Sequence, residues 1–297
     1  MPLLDANLRV DATLFGVLER QGNLGPLLDF PCLSADLGSA MRIAALYDIH
    51  ANLPALEAVA DDIRVTGVDQ IVVGGDVLPG PMPVETLDLL LSLEIPIHFI
   101  HGNGELAVLA QRTATDDPAT VKYWGTRTGE PLPEPGRAVV RWTAQQLSQE
   151  WVEQISRWPK TLPISVRSLG RVLFCHGTPR SEVEIFTRLT PEDRLTATFE
   201  GVDAQLVVCG HTHMQFDRMV GRVRVVNAGS VGMPFQRPPA AYWLILGPEV
   251  ELRQTFYDLN RAADRVRVTT YPQAEDFAAR NILNPPDLLD AITSVSI

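Results

Sequence analysis

Residues 41–50 read Met-Arg-Ile-Ala-Ala-Leu-Tyr-Asp-Ile-His, and this stretch decides the fold. After Arg42 the run Ile43–Tyr47 carries no charge, which fits a strand buried on both faces better than one alternating between core and water. It stops abruptly at Asp48-Ile-His50. Asn52 then stands where a helix N-cap belongs, ahead of the periodic segment Leu53–Arg64 with Pro54 in its first turn. A buried strand followed at once by a helix is the opening unit of a layered α/β fold.

The same grammar repeats downstream. Strands are predicted at Ile71–Val73, Ile97–Ile100, Val172–Phe174 and Leu206–Val208, with a helix over Val84–Leu93 between the first two. Further strands are predicted at Pro163–Val166, Phe216–Val220, Val223–Val226, Tyr242–Leu246 and Val250–Phe256. Ser148 caps a helix running through Trp158, stopped by Pro159, and two short helices close the chain near Asn260–Val266 and Ala274–Asn281. Residues 112–140 are rich in Pro, Gly, Thr and charge and read as a surface excursion. Residues 1–40 hold no sustained period, so they are expected to be a loosely attached extension of a domain spanning 41–297, with Met41 as the natural start.

Composition narrows the function. The chain has 297 residues, 45% hydrophobic and 21% charged, a globular balance that predicts a substantial core. Lys and Arg total 25 against 36 Asp and Glu, and the net charge of −11 speaks against a nucleic-acid backbone or an anionic membrane as the main partner. No apolar run approaches the ~20 residues of a membrane helix, and no secretory leader is visible, so a cytoplasmic protein is expected. Cys32, Cys175 and Cys209 form neither a disulfide framework nor a CxxC pair, and the last two are expected to be buried apolar residues.

Five predicted strands end in Asp, Asn or His, usually beside Gly: Asp48-Ile-His50, Gly75-Asp76, His101-Gly-Asn103, His176-Gly177 and Gly210-His211-Thr-His213. Ligands in open α/β sheets bind beyond the carboxyl ends of strands, so these side chains are expected to converge on one rim. The i, i+2 pairs Asp48/His50 and His211/His213 would share one side of an extended segment. Two carboxylates, one amide and four imidazoles are too many donors for one four-coordinate ion but suit two ions sharing a carboxylate. Nitrogen and oxygen donors without thiolate predict divalent transition metals, with manganese preferred and iron, zinc, cobalt or nickel as alternatives.

In its ordered motifs the chain resembles the calcineurin-like metallophosphoesterase superfamily, most closely its YfcE-like bacterial and archaeal phosphodiesterases. The resemblance spans Met41 to the C-terminus and includes Asn227-Ala-Gly-Ser230 after the last ligand pair. It implies a four-layer αββα sandwich. It also implies one ion on Asp48, His50, Asp76 and His213, a second on Asp76, Asn103, His176 and His211, and a metal-bridging hydroxide that attacks phosphorus. Asp76 and Asn103 would be catalytic, and the substrate a small phosphodiester or nucleotide. Phosphomonoesterase activity (protein phosphatase or dinucleoside-polyphosphate hydrolase) and a non-catalytic scaffold on the same fold are the alternatives; the oligomeric state is open.

Two positions depart from the family pattern. Many members carry a His after the ligand Asn as leaving-group acid, and Gly104 stands there; Pro79 replaces the Tyr ligand of purple acid phosphatases. His101 is the candidate substitute acid, weighed against a structural role. His98 is expected to be buried within its strand. Asn52 and Arg180 are candidate substrate contacts, weighed against a helix cap and a solvated loop arginine. Trp142, Trp151 and Trp158 are expected to pack in the core or a lid.

Overall fold

In the computed structural model, which describes residues 41–113 and 132–286, strand β1 (Ile43–Leu46) is wholly buried at the centre of a five-stranded sheet. It pairs in parallel with β2 (Gln70–Val73), and β2 in parallel with β3 (Ile97–Phe99). On its other side it runs antiparallel to β9 (Ala241–Leu246), which pairs with β10 (Val250–Thr255). The second sheet has the order β4 (Thr161–Val166), β5 (Gly170–Cys175), β6 (Leu206–Cys209), β8 (Val223–Asn227), β7 (Phe216–Val220). Its middle strands β5, β6 and β8 are parallel, flanked by antiparallel β4 and β7.

The charge-free character of β1 follows from burial on both faces. Ile43, Ala45 and Tyr47 face the second sheet and pack with Phe174, Val208 and Val226. Ala44 and Leu46 face outward beneath helix α1 (Leu53–Thr66), whose Leu56, Val59 and Ile63 join Leu87 and Leu90 of α2 (Pro83–Ser92) over the sheet. On the far side, Leu195 and Phe199 of α6 (Glu192–Phe199) cover Val207, Cys209 and Val225. The layers are therefore αββα, as expected. Among the described residues no helix is long and apolar enough to cross a membrane.

Several local expectations change. Helix α3 (Asn103–Thr113) starts on a candidate ligand and was not anticipated; nor was α6. The excursion expected over 112–140 gives way at Glu134 to amphipathic α4 (Glu134–Gln146), which buries Val139, Val140, Thr143 and Ala144. Pro135 and Gly136 give its start the look of a loop, yet Pro is compatible with a first turn. Residues 114–131 of that stretch, and the extension 1–40, lie outside the described residues. Ser148 caps α5 (Gln149–Ile155) through the Trp151 N–H, but the helix ends before Trp158. Trp158 instead stacks on Phe99 at 4.6 Å. His98 is exposed, because β3 pairs only with β2 and directs alternate residues to opposite faces. At the C-terminus, α7 (Leu259–Arg267) precedes α8 (Ala274–Phe277), which continues as a π-helical turn over Ala278–Leu283.

Candidate metal centre

The seven candidate ligands leave the carboxyl ends of five parallel strands: β1 supplies Asp48 and His50, β2 Asp76, β3 Asn103, β5 His176, and β6 His211 and His213. The i, i+2 pairs are not extended. Among the described residues, six non-glycine residues have positive φ, and Asp48, His50, Asp76, His211 and His213 are five of them. Such backbone costs roughly 1–3 kcal/mol per residue and persists only where surroundings enforce it. Here neighbouring loops do so: His50 N–H donates to the Asp76 carbonyl at 2.9 Å, and Gly232 N–H to the Asp48 carbonyl at 3.0 Å. Ser230 Oγ also donates to the Asp48 carbonyl (2.7 Å), while Asn227 Nδ2 donates to Gly210 O (2.6 Å) and thereby ties down the His211–His213 turn.

The side chains converge. Two triads, the buried Asp48–His50–His213 and Asp76–His176–His211 with His211 half-buried, each bring ligand atoms within 4.8 Å of one another. His176 Nε2 lies 3.1 Å from Asn103 Oδ1, 3.4 Å from Asp76 Oδ1 and 3.8 Å from Asp48 Oδ1, which joins the two groups into one centre. His213 Nε2 lies 3.2 Å from both Asp48 Oδ1 and His50 Nε2.

Backbone carbonyls fix the ring orientations. His50 Nδ1 donates to Pro79 O (3.3 Å), His176 Nδ1 to Gly74 O (3.0 Å) and His213 Nδ1 to Met233 O (2.6 Å). A carbonyl only accepts, so Nδ1 carries the proton and the inward Nε2 is the atom left to ligate. With its imidazoles neutral, as ligation requires, the centre faces lone pair against lone pair. Asp48 Oδ1 and His211 Nε2 are buried without a well-formed hydrogen bond, an arrangement costly in a protein interior unless a cation occupies it. The donor set fits divalent metal.

Titration reflects the same demand for positive charge. Burial pushes His176 down, but Asp76 and Asp48 outweigh it and raise the imidazole to about 10. His213 is also raised, Asp48 overcoming burial. Burial, then a neighbouring imidazole, lowers His50 and His211 to about 4. Both carboxylates are held below their ordinary range by the imidazoles despite full burial. The two carboxylates thus favour positive charge on His176 and His213.

One supporting residue escaped the sequence reading. Glu105, wholly buried in the first turn of α3, accepts N–H bonds from Asp76 (2.9 Å), Leu78 (2.9 Å) and Gly102 (2.8 Å). It ties the loop carrying Asp76 to the loop carrying Asn103. Burial, then Asp76, raises its carboxyl to about 7, against the pull of the Gly102 and Leu78 donors. The signal was available: an acidic residue two positions after Asn103 on a helix that must pack inward. In Glu105→Gln an amide N–H₂ meets a backbone N–H, so metal affinity and turnover are expected to fall roughly 10–100-fold, the usual cost of disturbing the support of metal ligands. Manganese titration of purified protein checks this; unchanged affinity would leave Glu105 a merely structural residue.

Other candidates fall elsewhere. Asn52 is fully buried; its Oδ1 caps α1 through Ala55 N–H (3.3 Å) and its Nδ2 donates to Gly232 O (2.8 Å), so it cannot touch substrate. Arg180 is exposed with its guanidinium forked onto Glu184, which removes it as a free phosphate grip. His101 Nδ1 points toward Glu182 at 3.9 Å, and its ring is not among those lining the cavity beside the centre. Cys175 and Cys209 are buried among apolar residues, as expected. Trp151 packs against the core over the first sheet, and Trp142 meets Tyr271 edge-on at 5.4 Å.

The comparisons with known proteins agree with this geometry. A Methanocaldococcus jannaschii protein, MJ0912, is 25% identical over 250 residues, covering 78% of this chain and 94% of its own. The crystal structure of PH1004 from Pyrococcus horikoshii matches with a TM-score of 0.66 at 20% identity, over 83% of this chain and 99% of that one. A metallophosphoesterase from Sphaerobacter thermophilus matches with a TM-score of 0.61 at 23% identity, over 83% and 100%. The model of the calcineurin-like phosphoesterase superfamily domain matches residues 41–246, from the first residue of the decisive stretch to the last of β9. With that match across most of its length, the chain belongs to the calcineurin-like phosphoesterase superfamily and is a metallophosphoesterase, a hydrolase of phosphoric esters.

Proposed function

We propose that this chain hydrolyses small phosphodiesters at a centre of two divalent transition-metal ions, manganese being the expected metal. Asp48, His50, Asp76 and His213 would hold one ion, and Asp76, Asn103, His176 and His211 the other. The observation that carries this reading is the buried cluster in which Asp48 Oδ1 and His211 Nε2 stand unpartnered among inward-facing imidazoles. When bound, two such ions supply Lewis acidity at the phosphoryl group and an activated water.

The protein's own part is orientation and charge. The Pro79, Gly74 and Met233 carbonyls keep three Nε2 atoms aimed inward. Asp76, fixed by the Gly104 N–H at 2.7 Å, belongs to one triad and lies 3.9 Å from His50 Nε2 of the other. Asn103 and His50 border the cavity where the phosphoryl oxygens would lie, and Asn103 and His211 would stabilise charge developing on them. In hydrolysis a water oxygen bonds to phosphorus as the bond to the departing alkoxide or phenoxide breaks. Position 104 offers that oxygen no proton, so turnover should depend steeply on leaving-group pKa.

Two features favour a diester over a monoester. Arg180 is held by Glu184, and among the described cavity-lining residues there is no lysine or arginine to balance a dianion. A scaffold role is disfavoured by a complete ligand set on strained, enforced backbone.

The test is metal loading. Chelator-stripped protein given manganese should take up about two ions per chain and then hydrolyse bis-p-nitrophenyl phosphate. Ligation requires neutral imidazoles, and His176, raised to about 10, still holds its proton at pH 8. Loading at that pH should therefore release protons, and affinity should rise with pH. Uptake of one ion or none would refute the dinuclear assignment.

A further inference from the structure

A cavity of about 280 Å³ opens directly on His50, Asp76 and Asn103. Away from the centre its walls are apolar: Val139 and Val140 of α4, Met233, and the rings of Tyr271 and Phe277. The aromatic wall is rigidly backed. Tyr271 and Phe277 meet edge-on at 5.9 Å and pack with Val139, Ala262 and Val266 in one buried cluster. That wall lies beyond residue 246, in the C-terminal segment outside the stretch matched by the family model. Gly104 and Gly136 also border the cavity. The remaining polar lining beyond the centre consists of two neutral amides, Gln273 and Asn281.

A phosphoester bound at the metal centre must send a substituent somewhere, and this chamber is contiguous with the ligands. Among its described lining residues the only charged carboxylate is Asp76 of the centre itself, and no cation is present. Further phosphates or carboxylates would be desolvated there without a partner. Apolar matter is favoured instead, and a cavity of about 150 Å³ is already enough for benzene. We propose that the cavity bounded by Val139, Met233, Tyr271 and Phe277 binds an uncharged aryl or alkyl arm of the phosphodiester, so that the substrate class is a diester with one apolar substituent. The proposal rests on the phosphodiesterase reading above and names the part of the substrate that the metal ligands do not select.

The experiment holds the leaving group constant. Manganese-loaded full-length protein is assayed with p-nitrophenyl phenyl phosphate and p-nitrophenyl methyl phosphate, each rate divided by that ester's rate with hydroxide in water. The corrected kcat/KM should favour the phenyl ester by at least about tenfold, the scale expected for burying a ring. Gly136→Leu adds bulk at the chamber's border on α4, where the atoms nearest a new Cβ belong to the Leu132 side chain, at 3.0 Å. It should raise KM for the phenyl ester and collapse the preference. Equal corrected rates in the unmodified protein would overturn the proposal while leaving the phosphodiesterase reading intact, and that comparison needs no variant. A preference that survives Gly136→Leu in folded protein would also overturn it, by placing the selection elsewhere. Hydrolysis of neither ester would overturn both readings together.

Discussion

Asp76→Asn is expected to lower hydrolysis of p-nitrophenyl phosphodiesters by on the order of 10³-fold or more, since loss of one charge-stabilising group already costs about that much in an active site. Asparagine keeps the size and can keep the Oδ1 acceptor that meets the Gly104 N–H at 2.7 Å. What it loses is the charge lying 3.4 Å from His176 Nε2 and 3.9 Å from His50 Nε2. Metal content should drop with it, because both triads draw on this carboxylate. The fold should survive. Removing the charge weakens the hold on protonated His176, but it also relieves repulsion of Glu105, whose carboxyl Asp76 helps raise to about 7. A negative neighbour disfavours ionisation, so in Asp76→Asn the Glu105 carboxyl should titrate at lower pH. Circular dichroism and melting of the metal-free variant would check the fold, and metal analysis the centre. Activity within tenfold of the unmodified chain would remove Asp76 from the mechanism.

Much of this centre was legible because strand ends announce themselves. Five apolar runs stop at Asp, Asn or His at the carboxyl ends where open α/β sheets bind ligands, and β1, β2, β3, β5 and β6 begin and end within about two residues of where the sequence places them. What the sequence hid is how the pairs converge. The i, i+2 spacing of Asp48/His50 suggested extended backbone, whereas both residues sit at positive φ in a turn enforced by bonds from another loop. Residue spacing carries no trace of such cross-loop enforcement. The same holds for Asn52 and Arg180, whose types suit phosphate binding but whose partners, Gly232 and Glu184, are set by the fold. Helix α4 was hidden by its own first turn, since Pro135 and Gly136 are ordinary loop residues until the buried face Val139–Val140 finds the core.

Gly104→His, which would restore the residue many family members carry after the ligand Asn, is expected to damage this enzyme. A Cβ at position 104 would lie 2.0 Å from the Leu78 carbonyl oxygen and 2.9 Å from Asp76 Oδ1. The Leu78 carbonyl has no free retreat. Its residue's N–H is held by Glu105 at 2.9 Å, and the Asp76 N–H by the same carboxylate at 2.9 Å. Making room therefore moves the loop that carries Asp76. Forced insertions into packed sites cost about 1–3 kcal/mol. Displacing a metal ligand should lower kcat/KM by roughly 10–100-fold. Gly104→Ala, which adds the Cβ without any acid, separates the causes. Similar losses in both variants, measured on activated aryl esters, would assign the effect to the Leu78 carbonyl. On esters of poor leaving groups, a histidine acid should help most. If Gly104→His were to accelerate those esters while Gly104→Ala slowed them, the loop after Asp76 would have to yield more readily than its hydrogen bonds imply. Position 104 would then be a chemical choice of this enzyme rather than a steric requirement.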